Sequence, residues 1–320
     1  SIKTIVDKIA GIVGFTGEIK YIGSDNGVFK KTVTNAYFKS LYPSVQFTSL
    51  QDGLTKTIRW YKNEVDVFAK KIIPKLSSVP SVTEKITLVL PTRGRPKLMD
   101  RMWSSVKKTA VVGDQIEVAF YIDDDDQPSI DKIKQLQEDD VRVKYMIGPR
   151  VSISEAWNNC YFKCATGSII MLCGDDFIMR TKGWDAMVRA EFAKYIDRIV
   201  LVYGRDGYAN ESLATHPIIH KRWIETVGYF VPPYFHSDYV DTWLDDMAQR
   251  IGRRVYLPDM YNEHMHFIVG KAEKDTTTLE RLIKHKDTNP AHIYKKRTDE
   301  RVADAQKLQD VIDTLKYGDK

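Results

Sequence analysis

The chain lacks the long apolar runs that mark membrane proteins. Its 320 residues contain no stretch approaching the roughly 18 apolar residues that a membrane-spanning helix requires. The opening sequence, SIKTIVDKIAGIVGF, has neither the basic start nor the small-residue cleavage site of a secretory signal peptide. We therefore expect a protein that does not enter membranes and that works in the cytoplasm, which for a viral protein means the host cytoplasm.

Cysteine is scarce and odd in number. Cys160, Cys164 and Cys173 are the three present, so a framework that pairs every cysteine in a disulfide is excluded. No second cysteine pair accompanies Cys160 and Cys164, which argues against a structural zinc site. We expect all three to be reduced residues of the core.

The chain does have the composition of a globular protein, with 43% hydrophobic and 28% charged residues, which argues against disorder. Its net charge of +5 is concentrated at the start, because residues 1–80 hold 12 Lys/Arg against 6 Asp/Glu. A basic appendage on a nearly neutral body is compatible with binding to a polyanion such as DNA. It is equally compatible with a solvated surface, and the charge alone leaves both interpretations open.

Three regions with different patterns divide the chain. Residues 1–80 contain a small α+β piece and a Pro/Ser-rich linker that begins near residue 65. Residues 81–275 alternate apolar strands with amphipathic helices, which is typical of an α/β fold with a mostly parallel sheet flanked by helices. Residues 276–320 form a C-terminal helical extension.

The first region contains GFTGEIKY followed by KKTVTNAYFKSLYPSVQFTSLQDGLTKTIRWYKN. Alternation predicts a strand in GEIKYIG, GSDNG predicts a turn, and Leu50, Leu54, Ile58 and Tyr61 have helical spacing. This order resembles the carboxy-terminal end of the nucleotide-sugar epimerases, which are extended short-chain dehydrogenase/reductases. The stretch contains neither a glycine-rich dinucleotide fingerprint nor a Tyr-x-x-x-Lys pair, so the resemblance implies no hydride chemistry. It implies structural support, acceptor contact or assembly into a homo-oligomer.

Polar side chains follow four apolar strands of the second region. Because the carboxyl ends of parallel strands meet at one edge of a sheet, where ligands bind, we expect these side chains to share a crevice. Adjacent carboxylates there suit a hard divalent cation that also holds phosphate oxygens, although an acidic turn can simply be solvated. The residues concerned are Thr92, Arg93 and Arg95 after the first strand, Asp123 to Asp126 after the second, Arg150 after the third, and Asp175 and Asp176 after the fourth.

The motifs LPTRGRP, YIDDDD, GPR, CGDD, GWD, GYFVPP, YVD and YLPDMYNEHMH follow one another within residues 85–275. Their order is similar to that of GT-A-type, family-2-like glycosyltransferases of a group common in bacteriophages and actinobacteria. The resemblance implies a GT-A (Rossmann-like) fold and the transfer of a sugar from a nucleoside-diphosphate donor, with UDP as the first choice. It also implies a divalent metal, Mn²⁺ or Mg²⁺, as the cofactor.

The resemblance further implies roles for single residues. Asp175 and Asp176 occupy the place of the Asp-x-Asp metal motif, with Asp176 as the first choice of ligand. His264 and His266 match a late metal or diphosphate ligand, and since they alternate along an extended chain we expect only one to face the site. The residues implied for nucleotide-sugar binding are Thr92, Arg93, Arg95, Asp123, Asp124, Arg150, Asp175 and, in a closing loop, Lys271.

The segment HSDYVDTWL matches the place where these enzymes carry an acidic base. An inverting transferase needs one carboxylate within hydrogen-bond reach of the acceptor hydroxyl. Asp241 matches best, and Asp238, three residues earlier, is the alternative. Either carboxylate can instead be explained by the favourable field at the start of a helix.

The acceptor is predicted from the combination of parts. An epimerase-like fragment beside a phage-like transferase predicts a virus that glycosylates its own DNA, with 5-hydroxymethylcytosine as the acceptor and an arabinosyl or glucosyl donor. Four aromatic residues are candidates for stacking on an extruded base, with sugar stacking or core packing as the alternatives: Tyr229, Tyr234, Phe235 and Tyr239. The rival functions are a transferase for a polysaccharide, lipid or protein, and a non-catalytic binding protein with the same fold.

Overall fold

The computed structural model describes residues 2–19, 34–59 and 84–317, and the chain divides into two compact units, Ser1–Ser78 and Val79–Lys320. In the first unit, helices α1 (Ile2–Val13) and α2 (Ala36–Leu41) are followed by α3, which includes residues 50–59. The helix predicted from Leu50, Leu54 and Ile58 is therefore confirmed over these residues. Most of the predicted strand GEIKYIG, the turn GSDNG, and nearly all of the linker lie outside the described residues.

An eight-stranded sheet runs through the second unit in the order β3-β2-β1-β4-β7-β6-β8-β5. Neighbouring strands are parallel from β3 to β4 and between β6 and β8, whereas β7 is antiparallel to both its neighbours and β5 is antiparallel to β8. The predicted mostly parallel sheet is confirmed. The strands are β1 (Ile86–Thr92), β2 (Ile116–Asp123), β3 (Val143–Gly148), β4 (Ile169–Leu172), β5 (Phe177–Met179), β6 (Leu201–Arg205), β7 (Ile218–His220) and β8 (Arg254–His264).

Helices cover both faces of this sheet. Strands β1, β2 and β4 are almost entirely buried, as expected of parallel strands that are covered on both sides. Leu88 and Leu90 of β1 point to one core, with Trp103, and Val89 points to the other, with Trp243. The helices are α4 (Pro96–Thr109), α5 (Gln127–Asp139), α6 (Ile153–Cys164), α7 (Trp184–Ala193), α8 (Lys221–Val227), α9 (Val240–Arg250), α10 (Thr276–Thr288), α11 (Pro290–Lys296) and α12 (Thr298–Tyr317).

Local signals in the sequence explain several boundaries. The side chain of Ser152 caps α6 by accepting a hydrogen bond from the backbone N–H of Glu155, as their spacing predicts. All three cysteines are free, and Cys160 and Cys173 are buried as predicted, whereas Cys164 is half-buried. Strand β5 was not predicted, since three residues are too short to show a period.

Asp185 of α7 belongs to a buried ion pair and also connects this helix to the loop that leads into β2. Asp185 is fully buried and accepts hydrogen bonds from the backbone N–H groups of Val111 and Val112, each at 3.0 Å. Its remaining partner is Arg189, at 2.8 Å and one helical turn further on. Removal of the carboxylate leaves a buried guanidinium and two backbone donors without their partner.

We predict that Asp185→Ala lowers the free energy of unfolding by about 3–5 kcal/mol, because a buried charge loses its counter-ion. Chemical denaturation followed by tryptophan fluorescence measures this change. Glu138→Ala, on the exposed side of α5, is the matched control and is expected to change the unfolding free energy far less. An equal effect of the two substitutions would contradict this assignment.

Candidate functional site

The carboxyl ends of β1, β2 and β4 open onto a cavity of about 730 Å³, hereafter the main cavity. Parallel strands present their following loops at one edge, so residues far apart in sequence converge there. Most of the predicted site residues line this cavity: Thr92, Arg93, Arg95, Asp123, Arg150, Asp175, Asp176, Asp238, Asp241, His264 and His266.

Two of the predicted binding residues are not part of the cavity wall. Asp124 is exposed and does not line the cavity. Lys271 pairs with Glu263 at 2.8 Å, and its ammonium group also donates to the Tyr261 hydroxyl at 3.3 Å. These contacts hold the Lys271 side chain against strand β8 and outside the cavity lining.

Asp175 is buried, and its hydrogen bonds connect β1, β4 and, through Arg95, the start of α10. Its carboxylate accepts a hydrogen bond from the Thr92 hydroxyl at 2.6 Å and from the Arg95 guanidinium at 3.1 Å. Arg95 in turn donates two hydrogen bonds to Asp275 at 2.7 and 2.8 Å. Burial raises the pKa of Asp175 to about 6, against the attraction of Arg95. With its oxygens engaged by Thr92 and Arg95, Asp175 holds β1, β4 and the start of α10 together.

Asp176, His216 and His264 form a group that can hold a metal ion, because one ligand atom from each lies within 4.8 Å of the other two. Strand pairing produces this arrangement. Phe177 of β5 pairs with His264 of β8, and the backbone carbonyl of Asp176 accepts a hydrogen bond from Met265 at 2.7 Å. His216 is brought beside them because β7 pairs with β4.

The charges of the group are balanced by a proton. Burial opposes ionisation of His264, but the carboxylates of Asp176, 3.5 Å from Nε2, and of Asp206, 3.8 Å from Nδ1, outweigh it and raise the pKa of His264 to about 9. The pKa of Asp176 is correspondingly held below its usual range, against the effect of burial, chiefly by His264. Burial lowers the pKa of His216 to about 3, so this imidazole is neutral.

These residues fit a divalent cation. The group offers one carboxylate oxygen and two imidazole nitrogens, a donor set suited to Mn²⁺ and its transition-metal neighbours. The Nδ1 atom of His264 is buried and has no hydrogen-bond partner in the described part of the chain. A cation that displaces the proton of His264 would supply the positive charge which that proton now provides.

The expectation that His264 and His266 face opposite sides is wrong. Both line the main cavity, and their ring centroids are 4.9 Å apart. The reason is that β8 ends at His264, so the alternation of a strand no longer applies. His266 instead caps the turn Phe267–Val269 through its side chain and stacks on Tyr208. Asp175 and His266 both lie outside the group that can hold a metal.

The two candidate bases have different surroundings. Asp238 forms an ion pair with Arg281 and contacts His285 Nδ1 at 2.5 Å, so α10 neutralises it. Asp241 pairs with no cation among the described residues and accepts a hydrogen bond from the backbone of Thr242 at 2.8 Å. Burial raises the pKa of Asp241 to about 6. Asp241 is thus the carboxylate better suited to take a proton.

The guanidinium groups of Arg93 and Arg150 lie close to the carboxylate of Asp123 at the end of β2. Arg93 donates to Asp123 at 2.9 Å and also pairs with Asp125, while the Arg150 guanidinium lies 3.9 Å from Asp123. Glu280 of α10 pairs with Arg150. This part of the cavity therefore offers both hydrogen-bond donors and acceptors to a polar ligand.

Most of the aromatic residues proposed for base stacking are engaged elsewhere. Phe235 is fully buried, and the Tyr229 hydroxyl donates to Asp304 at 2.6 Å. The ring of Tyr234 lies under the guanidinium of Arg297 at 4.0 Å. Of the four, Tyr239 alone lines the main cavity.

Sequence reasoning missed two parts of the site. His216 lies 48 residues before His264 in a segment interpreted as a strand, and no spacing links the two. Helix α10 was assigned to a separate extension, although its residues form one wall of the main cavity. These residues are Thr277, Thr278, Glu280, Arg281, Leu282, Lys284 and His285.

Comparison with known proteins agrees with this architecture. The family model for glycosyl transferase family 2 matches residues 87–267, which is more than half of the chain. The chain belongs to glycosyl transferase family 2. The matched residues include β1 to β8 and the carboxylates at their ends, and they stop before α10.

Solved structures of other glycosyltransferases are similar at low identity. TarS from S. aureus is 12% identical with a TM-score of 0.46, over 56% of this chain and 36% of that one. The mannosyltransferase PcManGT from Pyrobaculum calidifontis, solved with GDP-Man and Mn²⁺, is 12% identical with a TM-score of 0.48, over 72% of this chain and 75% of that one. This family 2 chain thus spans about a third of the length of the first TarS chain.

No curated protein matches the chain. In the part of the chain that the structure describes, no helix combines the length and apolarity needed to cross a membrane.

We predict that the protein binds Mn²⁺ at this group in isothermal titration calorimetry. Asp176→Asn and His264→Gln should each weaken binding by about 10- to 100-fold or more, because a ligand is lost. Since the pKa of His264 is about 9 and binding requires the neutral imidazole, affinity should rise with pH up to that value. His292→Gln, at an exposed position on α11, is the control and should bind Mn²⁺ as the wild type does. Mn²⁺ affinity that Asp176→Asn and His264→Gln both leave unchanged would refute the site.

Proposed function

We propose that this family 2 chain is a metal-dependent glycosyltransferase that moves a sugar from a nucleoside diphosphate, with UDP as the first choice, to an acceptor hydroxyl. The observation that carries the proposal is the position of Asp176, His216 and His264 in the same cavity as Asp241. A cation held by the three would neutralise charge on the departing diphosphate. The cavity also has the size expected of a site for a small molecule.

The chain's own residues account for the remaining chemistry. Arg93 and Asp123 present donors and an acceptor to the nucleoside part of the donor. Asp175 orients Arg95 and Thr92 through their hydrogen bonds to its carboxylate. Asp241 accepts the proton of the acceptor hydroxyl as its oxygen bonds to the sugar carbon. The bond from that carbon to the diphosphate breaks, and its electron pair leaves with the diphosphate.

The surroundings of Asp241 favour this role. A carboxylate that is already paired with a cation is a weak base, and Asp238 is paired with Arg281. Asp241 has no such partner in the described chain, and its raised pKa makes it a stronger base than an ordinary aspartate. Asp238 is better explained as the residue that ties the loop before α9 to α10.

We predict that Asp241→Asn still binds UDP in the presence of Mn²⁺ but transfers sugar at least about 100-fold more slowly, since the base is lost. Because Asp241 must be ionised to act, the wild-type rate at saturating Mn²⁺ should be constant above pH 6 and fall about tenfold per pH unit below it. Mass spectrometry of the glycosylated product, together with UDP release, gives these rates.

Asp287→Asn, at an exposed position on α10, is the control and should transfer at the wild-type rate. Wild-type transfer by Asp241→Asn would show that another group is the base. If the wild-type protein binds Mn²⁺ but neither hydrolyses nor transfers any UDP-sugar, the protein is a binding protein that shares the family 2 fold.

We further propose 5-hydroxymethylcytosine in phage DNA as the acceptor, on the strength of the sequence resemblances. The concentration of basic residues within 1–80 supports contact with DNA. Packing engages Tyr229, Tyr234 and Phe235, which removes one argument for a DNA acceptor. Of the four proposed stacking residues, Tyr239 remains available to a base. A polysaccharide, lipid or protein acceptor is the alternative.

Incubation with Mn²⁺, a panel of UDP-sugars and either hydroxymethylated or plain DNA distinguishes these acceptors. We predict a mass increase on hydroxymethylcytosine alone among the released nucleosides. The transfer rate should fall steeply with salt, because phosphate contacts are screened. Transfer to a glycan, lipid or protein while DNA stays unmodified would eliminate the DNA acceptor and leave the transferase assignment intact.

A further inference from the structure

A second cavity of about 600 Å³, hereafter the side cavity, adjoins the main cavity. The loop after β3, the start of α6, the loop before α9 and one face of α10 border it. Arg150, His236, Glu280 and Lys284 line both cavities, so molecules in the two cavities would be neighbours. This shared wall lies on the side of the main cavity that carries the candidate base loop, residues 236–241.

The side cavity has a cation without a counter-ion. Arg150 is paired with Glu280, which is the carboxylate in the wall of this cavity. Among the described residues, the ammonium group of Lys284 forms no ion pair or hydrogen bond, yet it is half-buried. Burial, and then the positive charge of Arg150, lowers the pKa of Lys284 against the attraction of Asp123 and Glu280. Like charges held together in this way are stabilised by a bound anion.

We propose that Lys284 and Arg150 form a subsite for a phosphate group of the acceptor, and that this phosphate belongs to a nucleic-acid backbone. The ammonium and the guanidinium supply charge, and the guanidinium also supplies directed hydrogen bonds. The inference rests on the proposed function because it places the acceptor beside the donor cavity. Its central residue lies in α10, beyond the residues that match family 2.

Nucleic acid is the source that the charges of this chain favour. A single subsite with one unpaired cation binds one phosphate, and a polymer adds contacts elsewhere. The 12 basic against 6 acidic residues within 1–80 offer such contacts to a polyanion. Arg101 also lines the main cavity without an ion pair in the described chain, but it does not border the side cavity.

Fluorescence anisotropy with the full chain and a labelled single-stranded oligodeoxynucleotide tests the subsite. We expect Lys284→Gln to weaken binding about fivefold at low salt and to reduce the slope of log affinity against log salt by about one, since one phosphate contact is lost. The matched control is Lys286→Gln, an exposed lysine on the same helix, which should bind as the wild type does. The same oligonucleotide with uncharged methylphosphonate linkages should show no difference between wild type and Lys284→Gln.

Mn²⁺-dependent hydrolysis of a UDP-sugar, measured on the same samples, separates this inference from the proposed function. We expect the exposed control, Lys286→Gln, to keep the wild-type KM for the UDP-sugar. Oligonucleotide binding that is equal in Lys284→Gln and wild type, or a raised KM with unchanged oligonucleotide binding, would overturn the subsite while the transferase stands. Lys284-dependent binding without any hydrolysis would overturn the transferase and keep the anion site.

Discussion

Two adjacent carboxylates at the end of β4 cannot both remain ionised away from water without positive charge beside them. The fold meets this requirement in two ways. Arg95 and the hydroxyl of Thr92 satisfy Asp175, and a protonated His264 satisfies Asp176. The first arrangement is fixed by buried side chains and joins β1, β4 and α10. The second is exchangeable, because a proton on an imidazole can give way to a metal ion.

The same division recurs on the other side of the cavity. Asp238 is neutralised by Arg281 and fastens the loop before α9 to α10, while Asp241 stays without a cation. In each pair one carboxylate is tied to other elements by an arginine, Arg95 or Arg281, and the other has no arginine partner among the described residues. Asp176 and Asp241, the two without an arginine partner, both have perturbed pKa values, which are typical of functional sites in a cleft.

The sequence predicts the sheet well and the site in part. Apolar strands that alternate with helices determine the parallel strands β1 to β4, and the polar residues after them had to meet at one edge. His216 could not be found in this way, because its place depends on the antiparallel pairing of β7 with β4. The orientation of His266 depends on where β8 stops. Helix α10 has the pattern of a solvated helix, yet its ion pairs with Arg95, Arg150 and Asp238 make it a wall of the cavity.

The central claim is that Asp176, His216 and His264 hold a cation that also contacts the diphosphate of the donor. Pulsed electron paramagnetic resonance of the Mn²⁺-loaded protein tests it directly, since nuclei bound to or next to Mn²⁺ give resolved couplings. We expect ¹⁴N couplings from coordinated imidazole, and additional ³¹P couplings when UDP is added. Mn²⁺ that shows ³¹P coupling to UDP but no ¹⁴N coupling, or ¹⁴N coupling with no ³¹P coupling in the presence of saturating UDP, would contradict it.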